Sequence, residues 1–191
     1  EPERIGEILS AMIASVDIPI TVKIRRGWDD QSINAVEITK IAERAGAKVI
    51  SVHGRTRQQG YKGNACWQII KECKQAANTI KVIGNGDVFD PESAKRLFEE
   101  TGCDAVLASR GTMGNPYLGQ QIIEFLGTGS YKNYDLVDAF QRHVDYILSY
   151  RNRKKAMLDF RRVGCWYTKN IVGAKEWKKA VSQVRSLDEM K

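Results

Sequence analysis

Hydrophobic positions along the first two-thirds of the chain alternate between two rhythms. Ile5, Ile8, Leu9, Met12, Ile13 and Val16 recur at helical intervals over residues 3–16, and Asp17-Ile18-Pro19 ends that pattern. Ile20-Thr21-Val22-Lys23-Ile24 is then short and rich in β-branched residues, which predicts a strand. The pair of patterns returns three times. A helix from about Ser32 to Ala45, stopped by Gly46, precedes a strand at 48–52, and a helix over Cys66 to Ala77 precedes a strand at 80–84. Asp90-Pro91 opens a helix that Gly102 closes, ahead of a strand at 105–109, and Asn115-Pro116-Tyr117-Leu118 opens another to about Leu126. Beyond a Gly127-Thr128-Gly129-Ser130 linker only helical periods remain, over 135–151, 153–171 and 174–186.

The succession α-(βα)₄ calls for a parallel sheet, in a barrel or in an open doubly wound fold. Four units close nothing. The fold class read from the pattern is α/β; if this is barrel sequence, residues 1–126 are the second half of a TIM (β/α)₈ barrel, followed by a small all-helical domain over 127–191. An isolated half-barrel is expected to expose strand edges at both sides and an apolar inner face. A start on a helix without methionine suggests that an N-terminal portion lies outside this chain.

Composition narrows the class. The chain has 191 residues, 42% of them hydrophobic, enough for one sizeable packed domain and an appendage. No apolar run approaches the ~18 residues of a membrane span, and the four cysteines form neither a CxxC pair nor a cluster with histidine. The reading is therefore cytoplasmic, without membrane, metal or disulfide. The net charge of +7 is unevenly spread: residues 1–126 carry 16 basic and 16 acidic side chains, residues 127–191 carry 14 and 7. A neutral body with a basic tail fits a polyanion, nucleic acid ahead of membrane.

Candidate chemistry sits where strands end. Lys81-Val82-Ile83-Gly84-Asn85-Gly86-Asp87 and Ala105-Val106-Leu107-Ala108-Ser109-Arg110-Gly111 each pass from strand into glycine and small polar residues, a turn whose free N–H groups suit phosphate. Simple turn geometry explains the same glycines. Lys23, inside an apolar strand, calls for an anionic or hydrogen-bonding partner, and His53, at a strand's carboxyl end, points toward a ligand crevice. The loop from Gln58 to Gly63 is expected to be mobile over that crevice. In the tail, Phe160 and Trp166 read as bundle core, and Arg161 and Arg162 as phosphate contacts.

Five stretches in order carry a further signal: Val22-Lys23-Ile24-Arg25-Arg26-Gly27-Trp28, Val52-His53-Gly54-Arg55-Thr56-Arg57, Gly84-Asn85-Gly86-Asp87, Ser109-Arg110-Gly111 with Gly114-Asn115-Pro116-Tyr117, and Phe160-Arg161-Arg162-Val163-Gly164-Cys165-Trp166-Tyr167. Together they resemble the tRNA-dihydrouridine synthases, closest to the bacterial nitrogen-regulation-like TIM-barrel type. The resemblance implies an FMN-binding barrel and a helical tRNA-binding domain. Lys23 and His53 would face the flavin ring. Asn85, Gly86, Asp87, Ser109, Arg110 and Gly111 would hold its phosphate, while Arg55, Arg57, Arg161, Arg162 and Lys169 would meet RNA. It also implies NADPH or NADH as reductant, hydride delivery to C6 of an extruded uracil, and a cysteine that protonates C5. That cysteine would fall before residue 1, so the 191 residues alone are expected to be inactive. The rival readings are an RNA-binding piece without catalysis, or another phosphate-binding barrel enzyme.

Overall fold

Each apolar β-branched run becomes one strand of a parallel sheet in the computed structural model, which describes residues 1–169, 171–186 and 189. The strands are β1 (Thr21–Arg25), β2 (Val49–His53), β3 (Lys81–Asn85) and β4 (Ala105–Leu107), paired in chain order. Helices α1 (Pro2–Ala14), α2 (Ala35–Ala45), α3 (Trp67–Ala76) and α4 (Pro91–Thr101) separate them. A doubly wound sheet would reverse its direction of growth, whereas this one steps the same way three times. Right-handed crossovers then put α2–α4 on one face, as on a barrel wall. Ile50, Val52 and Val82 are fully buried in the sheet, and Ile38, Ile41, Ile70 and Leu97 are buried on those helices.

The other face corrects one expectation. Thr21, Val49 and Lys81 share a register row, Lys23, Ser51 and Ile83 the next, and Arg25, His53 and Asn85 the last. That surface is mostly polar, with Val49, Ile83, Ala105 and Leu107 its apolar share, so it is not the apolar inner face anticipated. Lys23 alternates onto it and is exposed, rather than lying among the apolar residues that flank it in sequence.

Residues Glu1–Arg110 form one compact unit and Gly111–Lys191 a second. Residues ahead of the boundary read near 126 bond onward within the second unit. Tyr117 stacks on Tyr134 with centroids 4.4 Å apart, Arg142 donates to the Tyr117 hydroxyl, and Gln121 Nε2 donates to Lys132 O at 3.1 Å. The predicted linker also starts late, because α5 (Leu118–Thr128) runs through Gly127 before Gly129 ends it in the left-handed region.

The second unit continues with α6 (Leu136–Tyr150), α7 (Arg153–Tyr167) and α8 (Ala174–Gln183). Asp135 and Asn152 cap α6 and α7 by accepting backbone N–H groups. Val144 and Phe160 pack with Phe140, Met157 and Val181, and Ile147, Ala156 and Val163 pack with Trp166 and Tyr167, so the aromatics are core as expected. Residue 170, inside the predicted 153–171 helix, lies outside the described residues.

Candidate functional site

Parallel strands all end on the same side, and here that end is crowded with cations. Arg25, His53 and Asn85 stand side by side in register at the ends of β1, β2 and β3, Leu107 continues the row, and Lys23 lies one row below. Arg110 joins from the turn after β4 through its ion pair with Asp87 at 3.2 Å. Asn85 Nδ2 donates to Leu107 O at 2.8 Å and to Ser109 Oγ at 3.2 Å, which pins the β4 turn to β3.

The electrostatics follow from this crowding. Burial, then the charges of Arg25, Lys23 and Arg55, push the His53 imidazole down to about 4, so it is neutral near pH 7. Partial burial and Arg25 lower the Lys23 ammonium from its ordinary value. Asp87 is the acid set among them. Burial pushes its carboxyl up, but the Ala65 N–H, Arg55 and Arg110 outweigh that and hold it below the usual carboxylate range. It is also the one non-glycine residue at positive φ, 58°, among the described residues, following Gly86 at 129°.

Asp87 ties down the β2–α3 loop. Its carboxylate accepts from Arg55 Nη2 and from Ala65 N, both at 2.7 Å. Arg55 also donates to Gly63 O, Arg25 Nη1 donates to Thr56 O at 2.8 Å and Gly60 O at 3.0 Å, and Trp67 Nε1 donates to Gly86 O at 3.0 Å. Tyr61 rides on this loop with the Arg110 guanidinium 4.5 Å from its ring centroid. The loop expected to be mobile is therefore stitched to the strand ends by side chains that sequence patterning does not pair.

The structure brings Lys23, His53, Asn85, Gly86, Asp87, Ser109 and Arg110 to this one end, with Gly111 next in chain. Arg55 is corrected: 2% exposed and bonded to the loop, it cannot reach a macromolecule and acts as an internal brace. Arg57 is exposed beside it. Arg161, Arg162 and Lys169 belong to the other unit. Arg161 donates through Nε and Nη2 to Val184 O, so much of its donor capacity is spent within the fold, whereas Arg162 is exposed. Arg25 and Tyr61 were not singled out; the signal for Arg25 was its place two residues beyond Lys23, hence on the same face.

The donor set suits an anionic, phosphate-bearing ligand. Lys23, Arg25 and Arg110 outnumber Asp87, which the brace Arg55 already partly neutralises, and Arg55 Nη1 is buried without a hydrogen-bond partner. A Cβ at Gly86 would come 2.6 Å from the Ala65 Cβ and 3.3 Å from His53 Cδ2, so only glycine leaves this corner open. None of the four cysteines joins the row as a side-chain partner. Cys73 is buried with its thiol pushed up to about 11 by desolvation, Cys103 is buried, Cys66 precedes α3, and Cys165 is in the helical unit.

Among the described residues no group of His, Cys, Asp and Glu could hold a metal ion, and no helix is long and apolar enough to cross a membrane. Comparison with known proteins places the chain. It is 40% identical over its whole length to "Probable tRNA-dihydrouridine synthase 1" of Synechocystis sp., covering 54% of that protein. It is 35% identical over 96% of its length to tRNA-dihydrouridine synthase B of Pseudomonas aeruginosa, covering 56% of it. The chain thus spans about half the length of the curated relatives it matches. The model of the Dihydrouridine synthase (Dus) family matches residues 1–191, and the chain belongs to that family.

Proposed function

We propose that this chain is the portion of a tRNA-dihydrouridine synthase that carries an FMN phosphate site and a tRNA-binding helical unit. The observation that carries the proposal is the polar strand-end row Arg25, His53 and Asn85, with the cation Lys23 one row below and Arg110 held over the same strand ends. Arg110 and the N–H groups of the Asn85–Asp87 and Ser109–Gly111 turns would hold the phosphate, and Asp87 keeps Arg110 in place. Lys23 and His53 would lie along the isoalloxazine ring. Bound there and reduced by NADPH or NADH, the flavin would supply hydride to C6 of a uracil in tRNA. A neutral His53 would donate or accept a hydrogen bond without adding charge, and Lys23 would supply a cation to offset negative charge on the ring. The proton for C5 would come from a cysteine outside these residues.

The test uses the protein at the full length of its relatives. Purified, it absorbs in the visible and reduces uridine in tRNA, and Lys23→Met slows that reduction roughly 10²-fold while keeping the colour. A colourless full-length protein would end the proposal. The 191-residue chain alone is expected to show no turnover.

A further inference from the structure

The second unit gathers two arginines around one carboxylate. Asp159, on α7, is 15% exposed and holds two guanidinium groups at once, Arg151 Nε at 2.9 Å and Arg162 Nη2 at 2.7 Å. Each guanidinium also lies over an aromatic ring. Arg151 sits 5.1 Å from the Tyr150 centroid and Arg162 5.6 Å from that of Trp166. Both arginines stay open to solvent, at 40% and 60%, and Tyr150 is 63% exposed. Each uses one bond of its roughly five donors to reach Asp159, so most of each fork faces water.

Next to this pair α7 opens with Arg153, Lys154 and Lys155, and its first turn holds no acid. Cations at a helix N-terminus oppose the helix dipole, so this turn weakens the helix it begins. Positive charge is concentrated here against local stability, beside two anchored arginines and an exposed ring.

We propose that the α6–α7 corner grips the phosphodiester backbone of RNA, with Arg151 and Arg162 as the phosphate-binding pair and Asp159 as the residue that positions them. This rests on the tRNA reading above and assigns it a surface. Planar forks held rigid lose little freedom on binding phosphate, and Tyr150 adds a face on which an unpaired base can stack. RNA is favoured over an acidic protein because forks, rings and a lysine turn together match phosphate and base.

The test turns on a sign. Asp159→Ala removes a negative charge from a surface that meets a polyanion, so loose electrostatic attraction predicts tighter binding. Positioning predicts the reverse. In the full-length protein, Asp159→Ala is expected to weaken tRNA binding about 3- to 10-fold in filter binding or fluorescence anisotropy, with flavin content unchanged. Arg151→Ala and Arg162→Ala should each weaken binding and lower the slope of log affinity against log salt by somewhat under one. Arg162→Lys, which keeps the charge and exposes no core, should keep the slope and lose affinity. Tighter or equal binding by Asp159→Ala, or arginine variants indistinguishable from wild type, would overturn the proposal while leaving the synthase reading intact. A wild-type protein that carries flavin but binds no tRNA would overturn both.

Discussion

At the residue scale Glu43 and His53 are two of the side chains through which the chain responds to acid. Glu43, at the end of α2, accepts hydrogen bonds from the Thr79 and Ile80 N–H groups, from Asn78 N and from the Thr79 hydroxyl, and these hold its carboxyl down at about 2. The ordinary carboxylate value near 4.5 applies once the chain unfolds. A depressed folded value means stabilisation that is complete above about 4.5 and lost as pH falls toward 2. Glu43→Gln should cost about 1–2 kcal/mol at pH 7, discounted for solvent access, and flatten the dependence of stability on pH below 4.5, as measured by urea unfolding across pH. His53 acts through burial and neighbouring cations instead. Its folded value near 4 lies below the unfolded 6.5, so the unfolded chain binds the extra proton and stability falls as pH drops from 6.5 to 4. NMR titration should place the His53 ring near 4 in the free chain, and bound inorganic phosphate should raise it; a midpoint near 6.5 would contradict the cationic crowding. Lys23, His53 and Asn85 were legible because strand alternation alone puts them on one face. Arg55 was not: burial of a guanidinium depends on Asp87 and Gly63, 32 and 8 residues away.

At the scale of elements, the site is a set of glycine corners whose tolerance differs. A Cβ on Gly54 would stand 2.5 Å from the carbonyl oxygen of Cys66, itself bonded through its N–H to Gly54 O at 2.7 Å. Backbone on both sides cannot yield. Gly54→Ala should cost about 2–3 kcal/mol and loosen the β2–α3 loop. Gly60, at φ 62° with nothing within 4 Å, should lose only about 1 kcal/mol as alanine, from strain alone. Thermal unfolding of the two variants checks the order. The sheet was readable in the sequence to within a residue at all four strand starts, because β-branched runs ending in glycine have few other conformations. The start of α2 was not. Ser32 and Ile33 fit the helical period, but Gly27 bridges to Ile33 and Arg26 O accepts from Asn34 N, which delays the helix to Ala35. Such tertiary bonds override propensity and leave no local trace.

At the scale of the whole molecule, charge and sheet edges pull toward different partners. The second unit carries 14 basic side chains against 8 acidic ones over residues 111–191, while residues 1–110 carry 16 against 15, so nearly all of the net positive charge belongs to one unit. The first unit has a different need. Its sheet runs β1 to β4 in order, which leaves one edge of β1 and one of β4 without a strand partner among the described residues. Helix α1, packed on α2, buries Leu9 but leaves Ile8 at 50% and Met12 at 47% exposure, and Ile18 just before β1 is 70% exposed. Unpaired backbone next to exposed apolar side chains invites another strand and another helix. The 191-residue chain should therefore self-associate as its concentration rises, whereas the full-length protein should sediment as one species independent of concentration. Replacing Ile8 and Met12 with lysine should suppress association of the short chain without unfolding α2–α4, since neither side chain is part of the buried core. Sedimentation velocity across a concentration series reads both outcomes. A short chain that stays monomeric at high concentration would show that these edges are already satisfied within the fold, and the half-barrel would then stand as a complete structural unit.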